Sequence, residues 1–120
     1  MNEFRFLEWS VYRDAKLVVK EIHGIIEHFP QKFKYSLGDQ ISRSSISIVL
    51  NIAEGSGKYS DHELNRYFNI SLGSVNETVA ALDLAKDNSL ILEDQFNDLL
   101  GKLVSISKQL GGFKKKIAAD

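Results

Sequence analysis

Apolar residues in this chain recur at intervals of three and four nearly from end to end, and proline interrupts the pattern at one place, Pro30. Such spacing puts apolar side chains on one face of an α-helix, whereas sustained alternation of β-branched and polar residues would mark a strand. The first segment predicts a helix over residues 10–28, with Ser10 as N-cap and Tyr12, Ala15, Val18, Val19, Ile22, Ile25 and Ile26 on its apolar face. Proline removes a backbone donor and biases Phe29 toward extended geometry, so "HFPQKFKYS" reads as a break. A second helix is expected over 36–55, with Asp39 in the first turn where the helix dipole favours a carboxylate, and a stop at Gly55 or Gly57. The third opens at "SDHE", where Ser60 and Glu63 have the spacing of a capping box, and covers 60–86. The fourth covers 93–110 or slightly beyond, with Phe96, Leu99, Leu100, Leu103, Ile106 and Leu110 on one face. Either Gly111 and Gly112 end it, or its last turns continue through "FKKKI". Four such helices with short loops in a single 120-residue domain predict an all-α, antiparallel up-down four-helix bundle.

The second segment has more apolar surface than such a bundle uses. At about 100° per residue, Leu37, Ile41, Ser45, Ile48 and Ile52 gather on one side. Ile46, Val49, Leu50 and Ala53 take much of the opposite side, and a polar stripe of Gln40, Arg43, Ser44, Ser47, Asn51 and Glu54 lies between them. A second apolar face calls for a partner, most simply another copy of the chain; scattered surface aliphatics are the alternative. The third segment echoes this with a second stripe of Glu63, Arg66, Ile70, Gly73, Glu77 and Leu84. A mid-helix glycine costs about 1 kcal/mol relative to alanine, so Gly73 suggests close approach of another backbone. The expected oligomer interface is therefore Ile46, Val49, Leu50, Ala53 and Gly73. Buried polar groups need partners, and Arg43, Asn51, Glu54, Arg66 and Glu77 are expected to pair in one network.

Chemistry finds little purchase. "NIAEGSGKYS" has the glycines and lysine of a phosphate loop, but Tyr59 follows Gly57-Lys58 where Ser or Thr is needed, and a helix precedes it instead of a strand. No glutamate is followed three residues later by histidine, as di-iron bundles require, and His23, His28 and His62 have no ligand spacing. Absence of cysteine removes disulfides and thiolate sites. Glu54 and Glu77 read as structural rather than as an acid/base pair, and no serine has an organised histidine and acid beside it. No catalytic, metal or cofactor-binding residue is expected, and no small-molecule substrate.

The formal net charge is −1, so nucleic-acid binding would need a local patch. Arg13, Lys16 and Lys20 lie along one edge of the first helix, Lys58 sits in a loop, and Lys114, Lys115 and Lys116 follow the fourth helix. A solvated helix face is the plainer reading; a ring of identical subunits would multiply the patch. No stretch approaches the roughly 18 apolar residues of a membrane span, and the acidic N-terminus is unlike a signal peptide, so a cytoplasmic location without membrane contact is expected.

Residues 40–85, "QISRSSISIVLNIAEGSGKYSDHELNRYFNISLGSVNETVAALDLA", resemble the four-helix-bundle family named after proteins encoded in intervening sequences of bacterial 23S rRNA genes. The matching positions are Gln40, Arg43, Ser47, Asn51, Ile52, Ala53, Glu54 and Gly55, then Phe68, Gly73, Ser74 and Glu77; the first helix is similar too. The resemblance implies a bundle without enzymatic activity that assembles as a ring, typically a pentamer. A related branch, the accessory variability determinants of diversity-generating retroelements, binds RNA and a reverse transcriptase through a basic pentameric surface. This chain is slightly acidic and departs from that branch in charge. The function expected is a self-assembling, RNA-associated scaffold; the alternative is a nucleic-acid-binding accessory protein acting with a ribosomal or retroelement RNA and a reverse transcriptase.

Overall fold

A computed structural model describes residues 3–119, with side chains to residue 114. The side chains of Lys115 and Lys116 lie outside the described residues. A 3-10 turn, Arg5–Glu8, leads into α1 (Ser10–Ile26), a one-turn α2 (Gln31–Lys34), α3 (Leu37–Ser56), α4 (Asp61–Asp87) and α5 (Glu93–Ala119). The described residues contain no strand.

The three-and-four spacing becomes burial. In α1 the buried residues are Val11, Ala15, Val18, Ile22 and Ile26. In α5, Leu99, Leu103, Ile106 and Leu110 are fully buried, and α3 adds Ile41, Ile48 and Ile52. These side chains and Phe68, Val75 and Leu82 of α4 form one core, and burying each of the valines, leucines, isoleucines and Phe68 is worth roughly 1.5–3 kcal/mol.

Bonds across the seams fix the directions of the four long helices. His23 meets Ser42 at 2.8 Å while Arg5 reaches the Ser56 carbonyl, so the chain runs up α1 and down α3. Gln40 meets Glu77 and Ser47 meets Ser74, which makes α3 and α4 antiparallel. Phe68 packs on Phe113, and Lys86 lies over Phe96, which sets α5 antiparallel to α4. Across the α1–α5 seam, Ser10 donates to Gln109 and Lys102 to Glu21. Lys102 also reaches Asp98 at 3.1 Å. Burial, then hydrogen bonding with Asp98, pushes the Glu21 carboxyl up, while bonds from Glu21 and Lys102 hold Asp98 down. The four long helices thus close an up-down, antiparallel bundle.

Element ends differ from the sequence reading in local ways. Trp9, not Ser10, is the N-cap of α1, because the Ser10 hydroxyl turns to Gln109. α1 ends at Ile26, two residues before the expected His28. The stretch read as a break holds α2, for which Pro30 is the N-cap. Ser36 does not cap α3 with its side chain; its hydroxyl donates back to the carbonyls of Lys32 and Phe33. Ser60 does cap α4, accepting from Glu63 N at 3.1 Å, but the Glu63 carboxylate turns to Arg66 and leaves the box half made. α5 passes through Gly111 and Gly112, because Phe113 is held by Trp9 and Phe68 at ring distances of 5.0 and 5.3 Å.

Candidate functional site

Most of the positions singled out in sequence fall on α3 and α4, and the α3–α4 seam is where α3 is most closely packed. The seam is built from small hydroxyl residues. Ser71 donates to the Ile48 carbonyl at 2.9 Å, and Thr78 to both the Ser74 carbonyl and the Ser44 hydroxyl at 2.8 Å. The Ser47 and Ser74 hydroxyls bond at 2.8 Å, and Asn51 Nδ2 donates to the Ser47 carbonyl and hydroxyl. Further along, Gln40 Nε2 donates to Glu77 Oε2 at 2.7 Å. Each hydroxyl satisfies a neighbour, so two backbones approach without stranding a buried polar group. Small side chains make that approach possible, and at Gly55 it is close enough that an added Cβ would stand 3.3 Å from the Leu64 carbonyl.

Part of the expected polar network is redrawn. Gln40, Ser47, Asn51, Ser74 and Glu77 stand in bonded groups along the seam. Arg66 pairs with Glu63 at 3.4 Å, one turn away on its own helix, and not with Glu54 or Glu77. Glu54 and Arg43 are exposed, and among the described residues neither forms an ion pair. The cause is axial distance: Arg43 and Glu54 are three turns apart on one helix, about 16 Å at 1.5 Å per residue. Ser44, Ser71 and Thr78 are the seam's most buried polar residues, so Ser44 belongs to the packed seam although its stripe reads as polar in sequence. The Oδ1 of Asn65 is buried without a hydrogen-bond partner among the described residues.

The second apolar face of α3 is narrower than its periodicity implies. Val49 is only 8% exposed and packs in the core of the single chain, beneath α1. Ile46 and Ala53 are half-buried, while Leu50 stands 61% exposed. On α4, Ile70 and Leu84 are 41% and 54% exposed, and a Cβ added at Gly73 would meet nothing within 4 Å. Gly73 thus serves no close approach among the described residues.

Arg13, Lys16 and Lys20 are exposed along α1. Lys16 and Lys20, with His23, rim a groove of about 380 Å³ whose apolar lining is Val19, Ile46, Val49 and Leu50. The structure therefore brings the basic edge and the apolar face together at one groove between α1 and α3, which sequence reading had kept apart. Lys58 lies elsewhere, its Nζ 5.0 Å from the Tyr67 ring centre, and Lys114 is half-buried. No group of three or more metal-ligating side chains occurs among the described residues, and none of their helices is long and apolar enough to cross a membrane.

A family model described as 23S rRNA-intervening sequence protein matches residues 8–112. No curated protein matches the chain. Among solved structures, a protein of unknown function from the S23 ribosomal protein family of Bacteroides thetaiotaomicron is similar, with a TM-score of 0.81 and 24% identity over 88% of this chain and 98% of that one. At that identity the likeness speaks to the fold.

Proposed function

The chain belongs to the 23S rRNA-intervening sequence protein family, and from that premise we propose that it is a non-enzymatic scaffold which assembles with copies of itself. The observation that carries this reading is the exposed apolar set of Leu50 on α3 with Ile70 and Leu84 on α4, set beside a glycine open to solvent at Gly73. By helix periodicity Ile70, Gly73 and Leu84 share one stripe of α4, and a second copy covering that stripe and Leu50 removes apolar area from water. Repeated heterologous contacts close into a ring, and the family resemblance favours a pentamer. What supports a role without catalysis is that the seam hydroxyls and amides are engaged by one another.

RNA association is a second reading, supported by Arg13, Lys16 and Lys20, exposed in a row on α1. Sedimentation equilibrium tests the main proposal. A mass several times that of the 13.5 kDa chain at micromolar concentration is expected, and a monomer would overturn it.

A further inference from the structure

Two opposite charges on the outward stripe of α3 have no partner among the described residues. Arg43 and Glu54 are both exposed, and among the described residues neither takes part in an ion pair or a side-chain hydrogen bond. They lie three turns apart on nearly the same azimuth, about 16 Å along the axis, so one chain cannot join them. Leu50, the most exposed aliphatic residue of that helix, stands between them.

Glu54 is more than a surface carboxylate. It lines a cleft of about 700 Å³ at the C-terminal end of α3, with Phe4, Phe6, Leu50, Asn51 and Tyr67 among its walls. Aromatic rings, a carboxylate and the negative end of a helix dipole together favour a planar cation. Asn51 gives its Nδ2 to Ser47, which leaves its Oδ1 to accept from an incoming donor. Lys58 also lines the cleft, but its Nζ sits over the Tyr67 ring. The same helix end already holds one guanidinium: Arg5 lies 5.3 Å from the Trp9 ring centre and donates Nε to the Ser56 carbonyl at 3.1 Å.

We propose that Arg43 of a second copy of this chain enters the cleft and pairs with Glu54, so that the site is complete only between copies. The proposal rests on the self-assembly argued above and names its contact. Arg43 has the chemistry the cleft calls for, and its arrival brings a neighbouring helix over Leu50. Two otherwise unrelated features, a free guanidinium and a cation-seeking cleft, are then halves of one joint.

The chain has no cysteine, which makes the geometry testable by cross-linking. Chains carrying Arg43→Cys and chains carrying Glu54→Cys are mixed and treated with a bis-maleimide too short to span three helical turns. A cross-linked pair is expected in yield roughly tenfold above a mixture of Asp83→Cys with Glu54→Cys, which places a thiol away from the joint. In sedimentation, Arg43→Glu and Glu54→Arg are each expected to weaken association roughly tenfold or more, and the double reversal to restore it, as a direct charge pair requires. Circular dichroism of every variant checks that helicity is retained. A monomeric wild type defeats the self-assembly reading itself. An oligomeric wild type whose single reversals assemble normally, or whose cysteine pair gives only the control yield, overturns this joint and leaves self-assembly standing.

Discussion

Gly55 and Tyr67 approach so closely that a Cβ on the first would stand 3.1 Å from the Cβ of the second. In an open helix, Gly→Ala stabilises by about 1 kcal/mol. Here the added methyl also meets the Leu64 carbonyl at 3.3 Å and a Phe68 ring carbon at 3.4 Å, and two of its three neighbours are on or near backbone. Gly55→Ala is therefore expected to cost about 1–3 kcal/mol by overpacking, read as a fall in the thermal midpoint. An unchanged or higher midpoint would mean that the α3–α4 seam yields freely.

Gly73 gives the opposite expectation on the same helix pair. With nothing near its Cβ position, Gly73→Ala should raise the stability of the isolated chain by about 0.5–1 kcal/mol. If a second copy packs on this face, the same methyl weakens association. Measuring denaturant midpoints in dilute solution and sedimentation in concentrated solution separates the two effects; stabilisation with unaltered assembly would remove Gly73 from the interface.

Val49 and Leu50 are neighbours with different consequences. Val49→Glu places a carboxylate in the core without a partner and is expected to cost about 3 kcal/mol, with helicity lost at lower temperature. Leu50→Glu changes a residue already in water and should leave helicity intact while shifting the oligomer toward smaller species. Equal melting curves for the two variants would contradict the burial of Val49.

Binding of RNA to Arg13, Lys16 and Lys20 should be weak and should fall steeply between low and moderate salt, since phosphate contacts act through release of counterions. Substituting the three with glutamine should reduce the salt slope as well as the affinity. Filter binding that retains no structured RNA at low ionic strength counts against this contact altogether.

Periodicity made the helices and most of the core legible, because positions such as Ile41, Ile48 and Ile52 repeat on one face whatever the partner helix is. It misplaced Val49, because an azimuth says which way a side chain points and not whether a neighbouring helix lies there. α1 covers that side of α3 and leaves Leu50 bare. Arg43 and Glu54 do not join the expected network within one chain for a different reason: a shared stripe implies a shared face, while pairing also needs axial proximity. Ser10 and Ser36 have cap chemistry, yet each hydroxyl found another acceptor, one across the bundle and one a turn back. Only Ser60, with its acceptor role toward Glu63 N, kept the cap.

The closed arrangement of four helices also orders how the chain acquires it. α1–α3, α3–α4 and α4–α5 are joined by short connections, so their contacts close small loops. The α1–α5 seam instead joins Glu21 to Lys102, Asp14 to Gln109 and Ser10 to Gln109 across 81, 95 and 99 residues. Contacts that distant in sequence carry the greater loop-closure entropy, so this seam is expected to zip after the hairpins have formed. Substitutions at Glu21 or Gln109 are consequently expected, in stopped-flow kinetics, to speed the opening of the bundle and to leave its rate of formation nearly untouched.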